Sequence, residues 1–327
     1  MVLNGQSVLQ RITSSAQRVQ ARGGTKLSFL AMGTHCEVTA EGSGPVLDRF
    51  FAAALDWVAA FEAKYSRFLP ESLISRINAA AGEHWVDVDS DTERLFKWYN
   101  ELFFVTQRAF DPTSLPLVRL WNWKAEPPRV PTASEVAAAR ELVGWNKVQR
   151  RPGAIFLPKP GMGLDFGGLG KEFAVDCIAE LAGACGVRSC LVNFGQDIRV
   201  TEPPKGLPAW HVGLEDPRKP GSCWTGVAAK SVAVATSGDY HRSFSVDGRR
   251  YGHILDPRTG WPVDNRVLAV SVIAPTCTLA GALSTSAFIL GPDAGLKLIA
   301  AHAGAEGCLF TANERYETKR FSEFLTR

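Results

Sequence analysis

Apolar residues recur along this chain with two different periods. Leu47, Phe50, Phe51, Ala54, Leu55, Val58 and Phe61 fall at helical spacing and predict an amphipathic helix. The same reading predicts helices over Glu172–Ala184, Leu279–Leu290 and Leu296–Ala303. Thr132 followed by Glu135 forms a capping box ahead of "VAAARELV". Elsewhere the apolar runs are short and rich in β-branched residues. "RSCLVNF", "KSVAVATS" and "RVLAVSVIA" read as strands, and a further strand signal spans Lys26–Val38. Residues 1–27 are polar and turn Gly/Arg-rich towards their end, which predicts a flexible N-terminal arm. From residue 28 to 327, strands and helices interleave with no Pro/Gly/Ser-rich linker. The pattern predicts one α+β domain of mixed sheets and packed helices, with neither repeats nor low-complexity tracts.

Composition narrows this only slightly. With 327 residues, 46% hydrophobic and 21% charged, the chain is long enough for a sizeable core. A net charge of +3, with basic pairs as short as Arg150–Arg151 and Arg218–Lys219, argues against a nucleic-acid partner. Seven cysteines without a CxxC pair argue against a disulfide framework or a zinc site, and suit a reducing compartment. The N-terminus lacks the apolar core of a signal peptide, and no stretch reaches the apolar length of a membrane helix. The expectation is a cytoplasmic protein without a membrane span.

Four segments carry residues suited to chemistry. "LDFGGLGKEFAVD", residues 164–176, resembles a phosphate loop but fails the P-loop template. Asp165 stands five residues before Gly170, where glycine is required, and Glu172 follows Lys171 in place of Ser or Thr. A helix starting near Lys171 would still attract an anion; a tight strand-to-helix turn with a solvated lysine accounts for the segment equally well. "TSGDYHRSFSVDGRRYGHILDPRTGWPV", residues 236–263, holds two histidines around the turn signal "DPRTG". His253 lies just before that turn, where a side chain can be aimed at a site as a base, although a lone histidine is commonly structural. "FDPTSLPLVRLWNW", residues 110–123, suits either a flat ligand or a core loop capped by tryptophans. "LAGALSTSAF" is a small-residue helix that admits a close ligand or a close backbone.

Taken in order, these segments resemble the ApbE-type FAD:protein FMN transferases. The resemblance begins at "AMGTHCEV" and continues through "YSRFLPESLISRIN", "FDPTSLPL", "LDFGGLGKEFAVD" and "LVNFGQDI". It then runs through "TSGDYHRSF", "HILDPRTGWPV" and "AGALSTSAFILG", covering roughly residues 28–292. It implies a magnesium-dependent enzyme that binds FAD, cleaves its pyrophosphate and transfers FMN to a Thr or Ser hydroxyl of an acceptor flavoprotein. On this resemblance Met32, Tyr65, Ala109, Phe110 and Asp111 would contact FAD, and Asp165 and Lys171 would line the pyrophosphate region beside the Leu255 backbone. Gly168 would present its carbonyl to Mg2+, and His253 would be the base that deprotonates the acceptor hydroxyl.

The chain departs from the family pattern at the metal. The small-residue helix usually opens with Ala-Asp and carries Thr four residues after the Asp, so that carboxylate and hydroxyl share a face. Here Gly281 occupies the Asp position, Ser284 and Thr285 remain, and position 281 reads as an empty place that an aspartate could refill. Glu172, where glycine is common, is the carboxylate available to restore the charge. "GQD" replaces the usual "GGD". The alternative implied is a non-catalytic FAD-binding relative that has lost the metal site.

Overall fold

The computed structural model describes residues 5–239 and 243–326. Its centre is a nine-stranded antiparallel sheet in which the strands lie side by side in chain order. They are Gln17–Ala21, Gly24–Ala31, Thr34–Ala40, Cys190–Phe194, Asp197–Val200, Ala233–Gly238, Val267–Ala274, Glu306–Thr311 and Arg315–Glu317. Strand alternation explains why the middle strands read as continuous apolar runs. Ala233, Ala235, Val270 and Val272 face one core, while Val234 and Ile273 face a second on the opposite side. Both faces are covered, so neither can be polar. The hairpin of Trp210–Glu215 and Cys223–Ala229 covers the second face, with Trp210, Val212, Leu214 and Val227 buried beneath it.

Helices cover the first face. Among the described residues they are α1 (Gly5–Ser15), α2 (Pro45–Tyr65), α3 (Leu73–Ala79), α4 (Ser90–Val105), α5 (Leu115–Trp121), α6 (Ala133–Arg140), α7 (Gly170–Ala184), α8 (Cys277–Leu290) and α9 (Pro292–Ala300). The periodic run from Leu47 forms the buried stripe of α2, and the capping box at Thr132 starts α6. α8 is buried on nearly all sides, packed against α7, α9 and two central strands. Its small residues let those neighbours come close. Most of the helices enter in one excursion, residues 41–189, between the third and fourth strands of the sheet. None of the described helices is long and apolar enough to cross a membrane.

Two expectations change. The N-terminal arm, as far as it is described, is built into the fold: residues 5–15 form α1, whose Val8 and Ile12 are fully buried, and residues 17–21 pair with the next strand. An 11-residue helix with two core anchors gave too short a period to stand out against its polar neighbours. The single strand expected over Lys26–Val38 is a hairpin instead, broken by a two-residue turn at Met32 and Gly33 with φ of 51° and 72°. Left-handed turns of this kind match the twist of paired strands, and glycine fills only one of the two positions here.

Asp89 caps α4 by accepting from the Thr92 amide at 3.0 Å, and it pairs with Lys64 at 2.6 Å. The Lys64 hydrogen bond is the main reason its carboxyl titrates at about 2 rather than 3.8. The pair is largely exposed, so the cap is the larger contribution, and Asp89→Ala is expected to cost about 1 kcal/mol at pH 7. A depressed carboxyl pKa stabilises above the ordinary value and ceases to do so as pH falls through the folded one. The gap between the wild-type and variant urea midpoints should therefore narrow as pH falls towards about 2; a gap that does not narrow would refute the assignment.

Candidate active site

A cavity of about 750 Å3 lies where the helical excursion meets the sheet. Ala109, Phe110, Asp111, Asp165, Gly168, Lys171, His253, Leu255 and Thr285 all line it. These residues come from four segments far apart in sequence. Met32, Tyr65, Gly281 and Ser284 do not line it.

The loop before α7 is held from below. Asn78 and Leu164 exchange two hydrogen bonds, from the Asn78 side-chain amide to the Leu164 carbonyl at 3.0 Å and from the Leu164 amide to Asn78 Oδ1 at 2.6 Å. Asp165 accepts from the Gly167 amide at 2.9 Å and pairs with Arg67 at 3.0 Å. The segment "YSRFLPESLISRIN" thus serves the cavity through Arg67 and Asn78. Tyr65 is a core residue, its ring against Phe61 and Phe166 and its hydroxyl hydrogen-bonded to Thr92 at 2.9 Å. Met32, half-buried in its turn, donates its amide to Glu62 at 2.8 Å and sets the position of Thr34 and His35, which line the cavity.

Asp111 is occupied by its own loop. Its carboxylate accepts from the Thr113 amide and hydroxyl and from the Trp145 amide, while burial pushes its pKa up. The turn it fixes follows two left-handed residues, Gln107 and Arg108, which reverse the chain after α4 and bring Ala109 and Phe110 to the cavity wall. Across the cavity, His253 sits in the bend between the strands Arg249–Gly252 and Leu255–Asp256. That bend is anchored from the other side, since Trp121 donates its indole N–H to the Gly260 carbonyl at 3.0 Å and packs on Tyr251 and Trp261. The tryptophans of residues 110–123 therefore hold the histidine segment in place. Tyr240–Arg242, part of the "TSGDYHRSF" segment and including the second histidine, lie outside the described residues.

The charged floor of the cavity is the start of α7. The residue that caps this helix, Leu169, offers no side-chain acceptor, so the helix start is open to an anion. Lys171 makes an ion pair with Asp197 and lies 3.1 Å from Glu172 Oε1. Asp197 was not singled out from sequence. In sequence it appears only as the last residue of "GQD", whose Gln196 holds a φ of 74° where glycine is at ease. Nearby, the Ser237 hydroxyl lies 2.8 Å from those of both Ser284 and Thr285. Ser284 is buried and also donates to the Gly281 carbonyl at 3.0 Å, which leaves Thr285 as the α8 hydroxyl on the cavity.

Position 281 is not empty. A Cβ added to Gly281 would stand 2.6 Å from Glu172 Cγ and 3.2 Å from Cδ. Glu172 fills the space that a longer residue at 281 would need, so an aspartate there cannot simply refill a vacancy.

Residues 32–310 match the ApbE family. The FAD:protein FMN transferase of Treponema pallidum is 31% identical over 88% of this chain and 84% of its own length. That of Vibrio cholerae is 30% identical over 72% of each. Among solved structures, the ApbE protein of Thermotoga maritima superposes with a TM-score of 0.85 at 30% identity, covering 95% of this chain and all of the other. The flavin transferase ApbE of Vibrio cholerae superposes with a TM-score of 0.83 at 26% identity over the same shares.

Proposed function

The chain belongs to the ApbE family, and from that membership and the cavity we infer that it is an FAD:protein FMN transferase. The observation that carries the reading is the convergence of Lys171, Thr285, His253 and the Ala109–Asp111 turn on one cavity. Its substrates are FAD and an acceptor flavoprotein. The acceptor's Thr or Ser hydroxyl attacks the phosphorus on the FMN side of the pyrophosphate, the bridging P–O bond breaks, and AMP leaves.

Such a transfer depends chiefly on positioning and charge neutralisation. The open start of α7 faces the pyrophosphate, and the Lys171 ammonium, shared with Asp197 and Glu172, lies beside it. Arg67 and Asn78 keep the loop that carries Gly167 and Gly168 close to it. Phe110, stacked on Tyr99 at 5.9 Å, gives the flavin end a fixed aromatic wall. His253 takes the proton of the acceptor hydroxyl. The residues also suit a magnesium ion: Glu172 Oε2 is buried with no hydrogen-bond partner, and Thr285 and Gly168 offer oxygens on the same cavity. The cation, when bound, neutralises charge developing on the phosphates. The seven free cysteines fit a reducing, cytoplasmic setting.

The test is incubation with FAD, Mg2+ and a candidate acceptor, followed by the acceptor's intact mass. The expected result is one FMN per acceptor with one AMP released. FAD that stays bound and intact under these conditions would instead support a flavin-binding relative without the chemistry.

A further inference from the structure

We propose that the cation-holding carboxylate of this chain is Glu172, on α7, standing where a side chain from position 281 of α8 would otherwise stand. The proposal rests on the transferase reading above and names a ligand within that site.

Three observations carry it. The first is steric: at 2.6 Å from a Cβ on residue 281, Glu172 Cγ occupies the place of that side chain, and its Oε1 lies only 3.3 Å from the same point. A carboxylate is therefore delivered one helical turn from Thr285, though from the neighbouring helix. The second is an unmet demand. Glu172 is 7% exposed and lines the cavity, yet its Oε2 is buried without a hydrogen-bond partner. A buried charged oxygen left unpaired is strongly unfavourable, and a cation would satisfy it.

The third is charge. Glu172 and Asp197 share one ammonium, that of Lys171. Two carboxylates against one lysine leave a surplus negative charge, beside the place where the pyrophosphate must sit. The neighbouring Asp165 is already matched by Arg67. A divalent ion answers both the surplus and the incoming phosphates, whereas a site relying on Lys171 alone would repel them. Magnesium takes oxygen ligands from one or two carboxylates together with substrate phosphates and water. Glu172, the Thr285 hydroxyl and the Gly168 carbonyl would provide the protein's share.

Mn2+ binding followed by electron paramagnetic resonance, with bound FAD, reads the site without reading the reaction. Glu172→Gln keeps the shape and should weaken Mn2+ binding at least about tenfold, the lower end of what outer-shell losses already cost. Gly281→Asp alone should lower the melting temperature without tightening Mn2+ binding. The double change Glu172→Gly with Gly281→Asp returns the carboxylate to α8, and should recover both the melting temperature and Mn2+ affinity. Unchanged Mn2+ affinity in Glu172→Gln overturns the proposal, as does tighter binding by Gly281→Asp alone. A wild-type protein that attaches FMN yet binds no Mn2+ also overturns it, and leaves the transferase reading intact. Binding that depends on Glu172 in a protein that never attaches FMN does the reverse.

Discussion

Asp176→Ala is expected to lower the unfolding free energy by about 3–5 kcal/mol, the loss typical of breaking a buried charged network from one side. Asp176 is on α7, one turn after Glu172, and 6% exposed. Its carboxylate accepts from the Cys277 amide at 2.8 Å, the Thr278 amide at 2.8 Å, the Thr278 hydroxyl at 2.6 Å and Arg199 at 3.0 Å. Burial pushes its pKa up despite these donors, and truncation strands the donors in either protonation state. Two first-turn amides of α8 would lose an acceptor in a place that water does not reach. Because 176 meets 277 and 172 meets 281, the same contact sets the register of the two helices. Urea unfolding checks the prediction, and a loss below about 1 kcal/mol would show that the network is dispensable. Asp176→Asn, which keeps one acceptor oxygen, should fall between the two.

His253→Ala should slow FMN transfer by about 10²–10⁴-fold, the range associated with a positioned general base. Its effect should separate binding from chemistry: FAD affinity, read by fluorescence quenching, stays near wild type while the rate of acceptor modification falls. A variant that transfers FMN at close to the wild-type rate would place the base elsewhere on the cavity wall.

Much of the frame was legible because its signals are local. The stripe from Leu47 to Phe61, the capping box at Thr132 and the apolar runs around Val192, Val234 and Val270 each announce one element without reference to the rest. The turn at Met32 was not legible, since only glycine advertises a left-handed backbone and it supplies one of the two positions. Tyr65 shows the limit of motif reading. The segment around it does serve the cavity, but through Arg67 and Asn78, and nothing in the local pattern says which side chain of a helix end turns inwards. The contact between Glu172 and Gly281 was hardest to read, because it joins residues more than a hundred positions apart. The family resemblance implies an aspartate at 281 and a glycine at 172; only packing shows that side chains at the two positions compete for one volume.

That shared volume has a consequence for descent. A lineage carrying Glu172 cannot gain an aspartate at 281 in a single step without a collision, and one carrying Asp at 281 cannot gain Glu172 for the same reason. If Glu172 is the cation ligand proposed above, a path between the two states that avoids the collision passes through a chain small at both positions and without that carboxylate. Relatives with an aspartate at 281 are therefore expected to carry a small residue at 172, and the two positions to differ together.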